Sequence, residues 1–452
     1  MNKIAVNETI VAVATPAGRG GIGVVRISGP DAPNMALAIL GHRPAPRQAE
    51  YLAFKDAEGD VIDWGIALIF EAPHSFTGEH VLELQGHGGP VVMDRLVQRA
   101  TALGARPARP GEFSEQAFLN DKMDLAQAEA IADLIDSASI EAARAAIRSL
   151  SGVFSAQVHA LLQRLTQLRM LIEAGIDFPE EQVDSLSDAA VIQQHQDIIN
   201  NIKEINESAQ QGCLLREGMN LVIAGLPNVG KSSLLNALAG QSRAIVTNVP
   251  GTTRDVLRQE IQIDGLPLHV IDTAGLRDTE DEVERLGVDR AWQEIGQADQ
   301  LLLVIDDQRG LSDGDRQILG KIPPSLGVTL VYNKIDLSGR QPGKTEQQGL
   351  SAIGLSAKQG DGVRLLRQHL KHRMGFHLVG EGQFMARRRH LQALARTERH
   401  LNASLEQLTG RRATELAAEE LRQAQQALAE ITGEFSSDDL LGKIFSSFCL
   451  GK

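Results

Sequence analysis

The sequence predicts an α/β domain of alternating strands and helices, inserted into an α-helical domain and preceded by an α+β domain. Three observations predict it. Gly225-Leu226-Pro227-Asn228-Val229-Gly230-Lys231-Ser232 lies between the apolar run Leu221–Ala224 and the helical pattern Ser233–Leu238, the strand–loop–helix setting of a phosphate-binding loop. Apolar residues at helical spacing flank residues 218–375 on both sides: from Leu125 through Ala174, from about Asp188 to Gln210, then over Met385–Thr409 and Glu415–Thr432. Residues 1 to about 120 instead alternate short apolar runs with glycine-rich turns. The expected boundaries are 1–121 for the N-terminal domain, 122–216 and 376–452 for the two helical halves, and 217–375 for the insert.

In the N-terminal part, Ile10–Thr15, Gly23–Ser28, Ile66–Phe70 and His80–Leu84 read as strands. Gly18-Arg19-Gly20-Gly21 and Gly86-His87-Gly88-Gly89-Pro90 are the turns between them. In the insert, the glycines of the first loop let backbone N–H groups close around phosphates at a helix N-terminus. Asn228, Val229, Gly230, Lys231, Ser232 and Ser233 form that cradle, with Lys231 reaching the β- and γ-phosphates and Ser232 holding Mg²⁺.

Four further elements follow in order. Pro250-Gly251-Thr252-Thr253-Arg254-Asp255 is a polar loop that can supply a hydroxyl to Mg²⁺. Asp272-Thr273-Ala274-Gly275 closes the strand Leu268–Ile271, with a carboxylate beside the metal and a glycine at the γ-phosphate. Asn333-Lys334-Ile335-Asp336 ends the strand Val328–Tyr332, where the Asp336 carboxylate can accept from the guanine N1–H and N2 amine. Adenine offers no such pair of donors, so this element selects GTP over ATP. Ser356-Ala357-Lys358 ends one more strand and can bring a backbone N–H to guanine O6. Five elements in this order make the insert a P-loop GTPase domain. One position departs from the Ras-like plan: Leu276 stands where such enzymes carry the glutamine that orients the attacking water. Either hydrolysis is very slow or another group does the work, and the acidic stretch Asp278–Glu284 offers candidates.

Length and composition frame the rest. At 452 residues the chain exceeds one hydrophobic core, and about three domains are expected. Its charge, 45 − 58 = −13, argues against a chain that coats itself in nucleic acid, although Arg387-Arg388-Arg389 could form a local basic patch. Two cysteines far apart, Cys213 and Cys449, exclude a disulfide framework and fit a reducing cytosol. The apolar run Ile10–Ala14 is too short for a signal-peptide core, and no stretch approaches a membrane span of about 20 apolar residues. A soluble, cytoplasmic protein without a membrane partner is expected.

Thr15-Pro16-Ala17-Gly18-Arg19-Gly20-Gly21-Ile22-Gly23, Ser75-Phe76-Thr77-Gly78-Glu79, Pro110-Gly111-Glu112-Phe113-Ser114, Asn120-Asp121-Lys122 and the terminal Phe448-Cys449-Leu450-Gly451-Lys452 complete the pattern. With them the chain resembles the MnmE (TrmE) family of tRNA-modification GTPases over essentially its whole length. The resemblance implies a homodimer that works with an MnmG-type flavoprotein as a heterotetramer. That complex would install an aminomethyl-type group at C5 of the wobble uridine of certain tRNAs. The one-carbon donor would be 5-formyltetrahydrofolate or a related tetrahydrofolate, held by the N-terminal domain, which also dimerises. Arg26, Glu83, Lys122 and Lys452 match the family's folate contacts.

The resemblance also addresses Leu276, because the family is similar to potassium-activated GTPases that pair their nucleotide faces and use K⁺ in place of an arginine finger. Asn228, with oxygens from Thr247, Val249 and Thr252, would hold K⁺, and Thr253 is left for Mg²⁺. The remaining residues of that loop, Asn248, Pro250 and Gly251, would line the nucleotide with Thr273, Ala274 and Gly275. The water-orienting carboxylate maps onto Glu284, which joins Asp272 and Lys231 as the expected catalytic set. Cys449 is the fourth residue from the end, but Cys-Leu-Gly-Lys is no prenylation box. It reads as a catalytic thiol or as a buried or folate-adjacent structural one. A ribosome-assembly GTPase would share the nucleotide motifs but would add a second GTPase or an RNA-binding domain, where this chain carries Ala/Leu/Gln-rich helix. A membrane-remodelling GTPase would need a lipid-inserting segment, and none stands out.

Overall fold

The structure, a computed structural model, describes residues 8–177, 188–240, 258–263, 265–272, 298–324, 326–375, 383–411, 413–434, 438–449 and 451. In chain order these form β1 (Ile10–Val13), β2 (Gly23–Ser28), α1 (Ala32–Leu40), β3 (Glu50–Lys55), β4 (Val61–Phe70), β5 (Val81–Gly86), α2 (Pro90–Ala102), β6 (Arg106–Pro107) and α3 (Glu112–Leu119). Four helices follow: α4 (Leu125–Ile135), α5 (Ile140–Leu150), α6 (Val153–Asp177) and α7 (Asp188–Glu217). Next come β7 (Met219–Ala224), α8 (Lys231–Ala239), β8 (Arg258–Ile263), β9 (Leu266–Asp272), β10 (Gln300–Asp306), α9 (Asp313–Lys321) and β11 (Gly327–Asn333). After α10 (Ile335–Ser338), β12 (Gly343–Gln347), β13 (Leu350–Leu355) and α11 (Val363–Arg373), the chain ends in α12 (Arg388–Glu406), a π-helical turn, α13 (Thr414–Ala429) and α14 (Asp438–Ser446). Among the described residues, no helix is long and apolar enough to cross a membrane.

Two compact units result. The first takes Met1–Ile135, Leu150–Ile199 and Arg396–Lys452. Its six-stranded sheet has the order β3-β4-β5-β2-β1-β6, antiparallel except for the β1–β6 pair. Period-two alternation sends Val25, Ile27, Phe54, Ala67, Ile69, Leu82 and Leu84 to one face, under Met35 and Ile39 of α1 and Met93 and Leu96 of α2. Arg26 and Glu83, directly opposite each other across β2 and β5, lie on the other face. In the same unit α6 packs along α13, and the apolar face of α14 (Ile444, Phe445) meets Leu125 and Ala128 of α4.

The second unit takes Asp136–Ser149 and Asn200–Ala395. Its seven-stranded sheet has the order β12-β13-β11-β10-β7-β9-β8, parallel in its centre with an antiparallel strand at each edge. Central parallel strands are covered on both faces, so they are apolar without alternation; all seven residues of β10 are buried. Leu234, Leu235 and Leu238 of α8 and Leu366 and Leu370 of α11 cover one face. Ile318 and Leu319 of α9 lie against the other.

In the insert, β7, β9, β11, β13 and α8 stand where the sequence places strands and a helix, while β8, β10 and β12 were not expected; three further differences stand out elsewhere. β3 carries no clear strand signature, because Tyr51 and Lys55 are exposed and only Phe54 is buried. The helical texture after Leu125 is broken into α4, α5 and α6. The helix expected from Met385 starts at Arg388, since Phe384, Met385 and Ala386 are buried in non-helical chain. There the Met385 N–H donates to the Ala145 carbonyl at 3.3 Å, and the Met385 carbonyl accepts from the Ser149 hydroxyl at 2.9 Å.

Candidate active site

The phosphate loop joins β7 to α8. Three of its residues have left-handed backbone: Gly225 (φ 145°), Asn228 (φ 62°) and Gly230 (φ 96°). Glycine is required at two of them. A Cβ on Gly225 would strike the Val304 carbonyl, and one on Gly230 would strike the Asn333 side chain. Lys231 opens α8 and donates from Nζ to the carbonyls of Gly225 at 2.9 Å and Leu226 at 3.1 Å, so its ammonium sits over the loop. Ser232 and Ser233 are exposed in the first turn of α8. A serine hydroxyl there is a hard oxygen donor of the kind Mg²⁺ takes. Asn228 is exposed as well, while Val229 is buried in the sheet core.

Asn333, at the end of β11, ties the phosphate loop to the base-reading elements. Its Nδ2 donates to the Val229 carbonyl at 2.8 Å and its Oδ1 accepts the Ala357 N–H at 2.9 Å, all three groups being buried. The Ala357 N–H of the Ser356-Ala357-Lys358 element is therefore already engaged, leaving exposed Lys358 as the neighbouring backbone donor. Lys334 has left-handed backbone (φ 67°) and places its ammonium 2.7 Å from the Asn228 carbonyl and 2.7 Å from Asp306 Oδ2. The ammonium holds the Asp306 carboxyl below its ordinary pKa. Among the described residues, Asp336 keeps a buried Oδ1 with no hydrogen-bond partner. A buried acceptor without a donor is costly, and two ring-edge N–H groups of guanine would satisfy it.

Sequence reasoning missed Asp306 and Asp307, which belong to no motif. Their signal was position alone, at the end of the one strand lying between two motif-bearing strands. Of the expected nucleotide and metal residues, Thr247, Asn248, Val249, Pro250, Gly251, Thr252, Thr253, Thr273, Ala274, Gly275 and Glu284 lie outside the described residues, as does Leu276. Asp272 is described in backbone only, as the end of β9.

The N-terminal sheet carries a second cluster. Arg26 Nε donates to Glu83 Oε1 at 3.0 Å, and another guanidinium nitrogen lies 2.9 Å from the same oxygen. The guanidinium also donates to the Gly451 carbonyl at 3.4 Å and stands over the rings of Phe76 and Phe113, 5.5 and 5.7 Å from their centroids. Phe76 belongs to the segment between β4 and β5, and Lys122 Nζ donates to the Pro73 carbonyl of that same segment at 2.9 Å. Glu79, at its end, accepts from the Ser28 hydroxyl at 2.7 Å, and burial raises its pKa. Arg26 and Glu83 thus pair on one face of the two central strands, and Lys122 holds the β4–β5 segment whose Phe76 lies against that guanidinium; Lys452 lies outside the described residues, one position after Gly451. Cys449 is exposed rather than buried, its carbonyl accepting the Gly111 N–H at 3.4 Å. Cys213 is buried, and burial pushes its thiol up to about 11, which makes it unreactive.

A mainly parallel sheet with a phosphate loop after one strand and a guanine-type acceptor after another defines a P-loop GTPase. The comparisons with known proteins narrow this class. A family profile described as MnmE helical domain matches residues 125–449, and one described as GTP-binding protein TrmE N-terminus matches residues 9–122. A tRNA modification GTPase MnmE of Haemophilus influenzae (strain PittGG) is 59% identical over 450 residues, spanning 98% of this chain and 100% of the relative. One from Yersinia pestis bv. Antiqua (strain Angola) is 58% identical over 450 residues, spanning 98% of this chain and 99% of its own length. The chain belongs to the MnmE (TrmE) family of tRNA modification GTPases.

Proposed function

We propose that the chain is a potassium-activated GTPase acting on tRNA, adding an aminomethyl-type group such as carboxymethylaminomethyl to C5 of the wobble uridine. It would act as a homodimer joined to an MnmG-type flavoprotein, with a tetrahydrofolate one-carbon donor. The observation that carries the guanine part is the buried Asp336 Oδ1, unpartnered among the described residues and two positions after Lys334, whose ammonium touches the phosphate loop. Family membership and the names of the relatives support the tRNA part.

Ser232 and Thr253 would hold Mg²⁺, and Asn228, Thr247, Val249 and Thr252 would hold K⁺. Asn228 suits this role because Lys334 already occupies its backbone carbonyl, leaving the exposed carboxamide oxygen for another partner. When bound, the two cations neutralise charge that develops on the phosphates in the transition state. The chain's own groups do the rest. Lys231 would exchange its contacts with the Gly225 and Leu226 carbonyls for β- and γ-phosphate oxygens, and Glu284 would orient the attacking water. Arg26, Glu83, Lys122 and Lys452 would bind and orient the folate.

The test has two arms. Hydrolysis should be fast in KCl and slow in NaCl at equal ionic strength, and Asn228→Ala should remove that difference while GTP still binds. Equal rates in both salts would dismiss the potassium reading. tRNA from cells lacking the protein should show the wobble uridine without its C5 substituent; unchanged nucleosides would dismiss the modification.

A further inference from the structure

The last residue of β10 and the two that follow it grip the base-reading segment after β11 at three points, and one of the three extends to the phosphate loop. Gln308 Nε2 donates to the Leu337 carbonyl at 3.2 Å. Asp307 receives Arg340 at 2.9 Å and the Ser338 hydroxyl. Asp306 Oδ2 receives the Lys334 ammonium at 2.7 Å, and that same ammonium donates to the Asn228 carbonyl at 2.7 Å. Asp306 is itself fixed: it is 8% exposed, and its Oδ1 accepts the Gln308 N–H at 3.1 Å. The Lys334 ammonium thus joins Asn228 to Asp306, and Asn228 and Lys334 both hold left-handed backbone without being glycine. Asparagine tolerates such backbone on its own, whereas a lysine holds it where surrounding contacts fix it.

We infer that Asp306 is a positioning residue for the cation-binding asparagine as well as for the guanine-reading loop. Its carboxylate fixes the Lys334 ammonium, the ammonium fixes the Asn228 carbonyl, and the peptide unit so held sets the direction of the Asn228 side chain. An ordinary ion pair at a domain edge would contribute little to stability and would have no bearing on which cation the enzyme needs. The inference rests on the assignment of K⁺ to Asn228 made above.

Two readouts on the full-length protein test it: dissociation of mant-GDP in K⁺-free buffer, and the K⁺ concentration giving half-maximal stimulation of hydrolysis. Asp306→Asn, which keeps shape and removes charge, should release mant-GDP about tenfold faster, equivalent to about 1.4 kcal/mol. It should also raise the half-maximal K⁺ concentration at least threefold, and Asp306→Glu should recover part of both. Asp307→Asn should hasten release through Arg340 but leave the K⁺ concentration where it was. Wild-type values for Asp306→Asn in both readouts overturn the inference, and so does an equal K⁺ shift in Asp307→Asn. Should the wild type show no K⁺ response, the earlier assignment falls. The release rate in K⁺-free buffer then decides whether Asp306 positions the loop, and an unchanged rate overturns it.

Discussion

Asp336 and Asn333 carry base recognition in different ways. Among the described residues Asp336 offers an acceptor without a donor, whereas both ends of the Asn333 amide are used to join the phosphate loop to the Ala357 turn. Asp336→Asn should therefore weaken GTP binding by roughly 1.5–3 kcal/mol, the worth of a hydrogen bond to a charged group. It should also favour xanthine nucleotide, whose C2 carbonyl would accept from the new amide. Unchanged affinity for GTP on titration calorimetry would remove Asp336 from the site. Asn333→Ala should act on the empty protein too, lowering its melting temperature, because it strands the buried Val229 carbonyl and Ala357 N–H. At this scale the sequence was most legible where chemistry demands one residue type, as at Gly225, Gly230 and Asp336. It was silent about Asp306, whose partner lies 28 positions away and is fixed by strand order alone.

His369 of α11 shows how an element is held and how it would fail with pH. Buried at 4% exposure, it meets the Thr329 hydroxyl of β11 at 2.9 Å, and Thr329 in turn accepts from Gln300 of β10 at 2.8 Å. Burial, helped by nearby cations, lowers the His369 pKa from 6.5 to about 4. The unfolded chain takes up a proton below pH 6.5 while the folded chain does not. Stability from this group is thus complete above pH 6.5 and is lost as pH falls toward 4, by up to about 3 kcal/mol. Urea unfolding of His369→Gln should show a shallower loss over that window; an identical slope would mean the imidazole titrates freely. β11, whose last five residues are all buried, was plain in the sequence as an apolar run ending at a motif, whereas β10, equally buried, ends at no motif and went unread. β3 went unread as well, since a strand with one half-covered face leaves too few apolar positions to read. The start of α12 was hidden because Phe384–Ala386 are apolar for burial in non-helical chain rather than for a helix face.

At the scale of the molecule, the seven-stranded sheet takes helical sequence from outside the GTPase motifs into its own unit, residues 136–149, 200–217 and 383–395 included. Gln211 Nε2 donates to the Gly375 carbonyl at 2.7 Å and Arg388 pairs with Glu217 at 2.7 Å, so the chain entering and leaving the insert is held together there. A fragment of residues 217–376 should bind GTP. A fragment of residues 200–395 should bind it with a higher melting temperature, because it restores these contacts. Equal melting temperatures in differential scanning calorimetry would count against the larger unit. The complete burial of β10 has one more consequence. Its Leu301-Leu302-Leu303-Val304-Ile305 core has five consecutive aliphatic side chains, no proline or glycine, and a single acidic residue at its end. Once heat opens the sheet, copies of this strand from different molecules can pair edge to edge. Thermal unfolding should accordingly leave insoluble material, in an amount that rises with protein concentration; turbidity independent of concentration would count against pairing between molecules.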